Sequence, residues 1–224
     1  MKFLRIVFGL FPLLLVAETP LGQIVDGAFA DCFTRCWSPR TSLLYGCGVK
    51  DVKKAATFKN GLYDWYQGSK EGYGAGMGDC AISDAVALSG CVDRWAALKQ
   101  EGVSADDPRF AQTADWAAKL AQGLLNLASK HGYTGFVARG LCEEDGTSIC
   151  SLSSIDQHTH WVHGLYRYAH APMARPEIVA EWKVRIAEVA VRTGDAKKWW
   201  SLKTTHMFAA YWRARLRGLI RAND

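Results

Sequence analysis

The chain lacks a convincing strand pattern, a CxxC pair, a long unbroken apolar run and any marked excess of one charge. Each absence narrows what it can be. Without two-residue alternation of apolar and polar positions, a sheet-built core is not expected. Without CxxC, zinc-ribbon and thioredoxin-like readings fail. The apolar stretch over residues 6–17 falls short of the roughly 18 residues a helical span needs, so no stable membrane span is expected.

The formal charge is only +5, and part of it sits near the ends, in Lys2, Arg5, Arg213, Arg215, Arg217 and Arg221. The remainder is too nearly neutral for a nucleic-acid surface, so no nucleic-acid partner is expected. The basic tail suits a solvated helix end. What is present is ordinary globular material, 49% apolar and 22% charged over 224 residues, enough for one core and one domain. The nine tryptophans read first as core and second as flat surfaces for ligands such as sugars.

Residues 1–17 read as a signal peptide: Lys2 and Arg5, then the apolar run ending at Ala17. Residues 18–224 then form a single helical domain exported to the periplasm or beyond. Leu15 departs from the small residue preferred before such a cleavage site, and an apolar first helix is the competing reading. Seven cysteines leave at least one thiol unpaired within a monomer. Cys142 and Cys150 flank the loop 143–149 and are candidates to close it. Cys80 and Cys91 share a helix and stand too far apart along its axis to pair.

Helical signals recur along the chain. A first helix is expected over Leu21 to Trp37, ended by Ser38-Pro39. Residues 38–78 are irregular, with a short helix between Val52 and Gln67. From Asp79 to Leu98 the sequence is apolar nearly all round, which marks a helix surrounded by protein. Asp107-Pro108 opens an amphipathic helix. A fourth runs from about Ile155 to His170, and a fifth carries Ile178, Trp182, Ile186 and Val189 inward until Gly194. A last helix covers roughly 204–217. The order buried, amphipathic, buried, amphipathic predicts an all-α protein of stacked helical hairpins. Its two inner helices run parallel and open at one end.

Polar chemistry gathers at those two openings. Asp79 follows the glycine-rich entry Gly72-Tyr73-Gly74-Ala75-Gly76-Met77-Gly78, more flexible than a helix cap alone requires. On the second inner helix Asp156, His160, His163, Arg167 and His170 form one stripe, and a charged stripe on an apolar helix must meet water, a ligand or partners. Asp156, His160 and His163 could present a metal together, but no fourth ligand is identifiable and the site is read without metal or cofactor. Arg139, between small residues, could grip a carboxylate and could equally bridge internally to Asp79 or Asp156, and the two roles are compatible.

The set Gly76-Met-Gly-Asp79-Cys, Val86-Ala-Leu-Ser-Gly90, Gly135-Phe-Val-Ala-Arg139-Gly and Asp156-Gln-His-Thr-His160 resembles bacterial six-hairpin glycosidase-type proteins over about residues 70–175. The resemblance implies an (α/α)6 toroid with a carbohydrate cleft at the inner-helix starts. Asp79 and Asp156 would then divide acid and base work beside His160. Arg139, Gln157, His158, Trp161, His163 and Tyr73 would bind an oligosaccharide or polysaccharide. Polysaccharide lyase chemistry, with Arg139 on a uronate, is the alternative, and a non-catalytic glycan-binding module is another. About six helices stand where a toroid has twelve, so only part of a toroid is expected, whose uncovered inner-helix flanks would favour self-association.

Overall fold

A computed structural model describes residues 20–46, 48–49, 58–59, 62–63, 77–150 and 153–194. The expected signal peptide, Tyr73 and the helix expected over 204–217 lie outside the described residues. Among the described residues there are five helices: α1 (Pro20–Cys36), α2 (Cys80–Gln100), α3 (Pro108–Ser129), α4 (Ile155–Ala169) and α5 (Pro176–Gly194). Where the short helix between 52 and 67 was expected, the described residues are strand instead. β1 (Phe58–Lys59) pairs antiparallel with β2 (Leu62–Tyr63), and β2 pairs parallel with β3 (Ile149–Cys150). Two-residue strands of this kind leave no period-two signal to read, because alternation needs several residues to show.

The helix starts follow local chemistry. At α3, Asp107 accepts the Arg109 backbone N–H at 2.9 Å and Pro108 occupies the first helical position, where no intrahelical N–H bond is needed. Pro176 opens α5 in the same way.

Two antiparallel hairpins result. In the first, Trp95 of α2 meets Phe110 of α3 edge-on at 4.7 Å, next to the turn that joins them. In the second, Tyr166 of α4 meets Trp182 of α5. The hairpins lie side by side with α2 and α4 parallel. Gln157 touches Asp79, Gly164 lies over Ala85, and Arg167 reaches Ser89 and Asp93, so the register advances together along both helices. Both therefore begin at the same end, as the alternation predicted.

Burial is distributed differently from the expectation. The most enclosed helix is α3, in which every residue from Leu120 to Ala128 except Gln122 is buried. Helix α2 buries one stripe, Cys80, Ala81, Asp84, Ala85, Leu88, Cys91 and Leu98, and leaves Val86 57% exposed. The reason is non-local. Phe29 and Phe33 of α1 pack on Trp116, and Leu43 is buried against Gly123, which encloses the flank of α3 beside its apolar face. Below them Trp161 donates its indole N–H to the Leu124 carbonyl at 2.6 Å.

The loop after α3 is held without a disulfide. Cys142 is a free, buried thiol. Its N–H donates to the Ser148 carbonyl at 2.8 Å, and Asp145 accepts the backbone N–H groups of Thr147 and Ser148 at 2.9 and 2.8 Å. These bonds close the loop that Cys142 and Cys150 were candidates to close. Among the described residues no helix is long and apolar enough to cross a membrane.

Candidate functional site

Asp79 occupies the residue before α2 but does not cap it: its side chain makes no capping bond. The cap is supplied by the loop after α3, where the Arg139 carbonyl accepts the Ala81 N–H at 3.2 Å. That substitution releases the Asp79 carboxylate for other use. Its Oδ1 accepts Arg139 Nη2 at 2.8 Å and Gln157 Nε2 at 2.7 Å, while its side chain stays 62% exposed. Arg139 also donates Nε to the Gly78 carbonyl at 2.8 Å and is itself only 14% exposed. Gly140 allows this approach, since a Cβ there would meet the Met77 carbonyl oxygen at 2.3 Å. Of the two roles open to Arg139, the structure shows the internal bridge, made to Asp79.

At the start of α4, Ser154 takes the cap position and its hydroxyl bonds Asp156 in the first turn. Burial pushes the Asp156 carboxyl up, but the Ser154 hydroxyl, backbone N–H donors and the Arg139 charge outweigh it and hold the group below the usual value. Asp156 is exposed and ionised at neutral pH. Gln157, next along, is fully buried and turned to Asp79.

Three histidines follow. His158 bonds the Ser154 carbonyl through Nδ1 at 2.9 Å, and because a carbonyl only accepts, that nitrogen carries the proton. Burial drives its pKa down to about 4, so the ring is neutral near pH 7. His160 bonds the Asp156 carbonyl through Nδ1 at 2.8 Å, which leaves Nε2 as the nitrogen able to exchange a proton with a ligand. His163 is exposed. Further along, Arg167 is bound by Asp93 and the Ser89 carbonyl and ties α4 to α2. His170 bonds the Tyr166 carbonyl at 2.8 Å. Within the stripe Arg167 is therefore engaged between the helices, while Asp156, His163 and His170 are exposed.

The structure thus brings Asp79, Arg139, Asp156, Gln157, His158 and His160 to one end of the paired helices. It withdraws Trp161, expected to bind substrate. That side chain has no exposed area and its one donor is spent inside, so it is core and offers no stacking face. Gln157 likewise reaches Asp79 from a buried position rather than from a binding surface. Ser154 was overlooked, although a serine two residues before an aspartate at a helix start is a readable signal. Among the described residues no group of three or more His, Cys, Asp or Glu is placed to hold a metal.

The fold and this end define an all-α protein of helical hairpins with a polar cluster at two parallel helix starts. No family model, curated protein or solved structure matches the chain. The functional reading rests on the residues themselves.

Proposed function

We propose that the chain is a carbohydrate-active protein of glycoside hydrolase type, with its working groups at the starts of α2 and α4. The observation that carries this reading is the diversion of Asp79 from capping: its exposed carboxylate is held from behind by Arg139 and by Gln157, the residue that follows the exposed Asp156 on α4. Two carboxyls at one end of a scaffold suit acid–base cleavage of a glycosidic bond. Asp156, ionised at neutral pH, is the base that draws a proton from water. As the water oxygen bonds the anomeric carbon and the glycosidic bond breaks, the leaving oxygen takes a proton from Asp79, the second carboxyl, with His160 Nε2 positioning that oxygen. The wider resemblance to an α/α toroid belongs to the same proposal, with the two parallel helices as part of its inner wall.

Hydrolysis is favoured over elimination. A lyase needs a cation to neutralise a uronate carboxylate, and Arg139 is largely buried and bonded to Gly78 and Asp79. Release of reducing ends from a panel of oligosaccharides tests the proposal. Asp79→Asn and Asp156→Asn should each lower turnover at least 100-fold in a folded protein, about 2.7 kcal/mol of transition-state stabilisation. Undiminished turnover in either variant removes that residue from the mechanism, and a rise in ultraviolet absorbance with product would replace hydrolysis by elimination.

One observation favours a second reading, a helical glycan-binding module without turnover. The Asp79–Arg139–Gln157 network joins α2, the loop after α3 and α4, and such a clamp serves packing as well as chemistry. Glycan binding with no cleaved product, retained in Asp156→Asn, would establish it.

A further inference from the structure

The last two turns of α1 carry a pair of thiols that the helix-start cluster does not use. Phe29, Cys32, Phe33 and Cys36 follow the helical period and pack against the core. For that packing a cysteine serves as a small apolar residue. Packing alone does not call for what the two thiols do, which is to turn to each other and hydrogen-bond. Both are half-buried, whereas Cys80, Cys91 and Cys142 are enclosed at 1%, 0% and 1% exposure. Burial pushes the Cys32 thiol up, and Cys36 adds to the effect, so Cys32 keeps its proton at neutral pH. A disulfide does not fit the intact helix. Cβ atoms four residues apart on a helix are about 5–6 Å from each other, against about 3.5–4.5 Å across a disulfide.

We propose that Cys32 and Cys36 form a two-sulfur site for a soft monovalent cation of the Cu(I) class. Thiolate ligands select soft ions, and the number of ligands narrows the choice further. Among the described residues no third His, Cys, Asp or Glu joins the pair in a metal-holding group. Zinc takes four ligands in a structural site and three in a catalytic one, so two sulfurs do not satisfy it. A cation content with two ligands in line fits the span as well. Two metal–sulfur bonds of about 2.3 Å, on the scale of Zn–S, hold the sulfurs about 4.6 Å apart. Cβ atoms about 5–6 Å apart present that separation without unwinding the helix. As each sulfur bonds the metal it releases its proton to solvent, and the metal keeps its oxidation state, so no oxidant is needed.

The site uses none of the groups at the starts of α2 and α4 and does not rest on the glycan reading. Titration of the reduced full chain with Cu(I) alone, under argon and against a chromogenic chelator, tests it. One equivalent should bind, with X-ray absorption showing two sulfur neighbours. Cys32→Ser and Cys36→Ser should each weaken binding at least 100-fold, whereas Cys47→Ser and Cys150→Ser should bind as the natural chain does. In the natural chain, bound Cu(I) should slow alkylation of Cys32 and Cys36 at least tenfold, a readout that needs no variant to fold. Zn(II) in place of Cu(I) should bind at least 100-fold more weakly. Full binding in Cys32→Ser or Cys36→Ser, or alkylation of the two thiols that Cu(I) leaves unchanged, overturns the proposal. Equal loss in Cys47→Ser or Cys150→Ser, a third sulfur neighbour, or Zn(II) bound as tightly as Cu(I) overturns it too, because the site is then not a two-sulfur one.

Discussion

Gly164 of α4 lies directly over Ala85 of α2, so close that a Cβ on Gly164 would come within 2.9 Å of both the Ala85 Cα and Cβ. The Ala85 side cannot give way, because one of the contacted atoms is backbone. This contact sets the spacing of the two parallel helices and, two turns away, the separation of Asp79 from Gln157.

Gly164→Val should therefore push α4 from α2. Overpacking of this kind costs about 1–3 kcal/mol and outweighs the roughly 0.5–1 kcal/mol that replacing a mid-helix glycine can return. A urea melt checks the stability. The same variant should weaken the Asp79–Gln157 bond, so any glycan turnover should fall further than the melt alone accounts for.

Asp84 has no exposed area, and its carboxyl is served by the Leu44 N–H at 3.2 Å to each oxygen. Burial raises its pKa well above the usual 3.8, against the smaller opposing pull of that N–H. The native state then holds this proton more firmly than the unfolded chain. Its contribution to stability is complete below about pH 3.8 and is lost as pH rises through the native value. Asp84→Asn, neutral throughout, should remove this part of the pH dependence in denaturant midpoints measured from pH 4 to 8. An identical slope in the variant would show that another group is responsible.

His158 acts in the opposite direction. Its native pKa of about 4 lies below the ordinary 6.5, so between those values the unfolded chain binds the proton that the native ring refuses. Its contribution is present above pH 6.5 and disappears as pH falls towards 4. His158→Gln should flatten the loss of stability on acidification across that window. The Gln side chain retains a donor for the Ser154 carbonyl, so the fold itself should persist.

Arg139→Gln separates packing from chemistry at the candidate site. It removes two charge-assisted bonds, to Asp79 and to the Gly78 carbonyl. Hydrogen bonds to charged groups contribute about 1.5–3 kcal/mol each when well buried, and the exposure of Asp79 places this ion pair at the low end. A drop in thermal midpoint with glycan binding unchanged would assign Arg139 to the scaffold alone. A change in binding beyond the stability loss would assign it to holding Asp79 for a ligand.

Much of this was legible in the chain. Asp107-Pro108 announces α3, and α3 begins there, because a capping side chain and a proline act within three residues. Ile178, Trp182, Ile186 and Val189 are the buried face of α5, because one helix's own period decides which side chains align. The parallel course of α2 and α4 followed from two short helical hairpins lying side by side. The candidate site was legible in its members more than in their roles. Asp79, Arg139 and Gln157 were each singled out, but a carboxylate that looks like a cap proved not to cap, because a carbonyl 60 residues away does so.

What the sequence by itself determined is therefore the five described helices, their order and the gathering of polar groups at two helix starts, but not the strands found within 52–67. These depend on spacing and capping, which act over a few residues. The tertiary structure alone decided which helix stands at the centre and what covers each apolar face. Helix α3 became the centre because Phe29, Phe33 and Leu43 arrive from elsewhere to cover it, and Trp161 became core because Leu124 supplies its acceptor. Periodicity tells which side chains lie together on a helix. It carries no record of what will be packed against them.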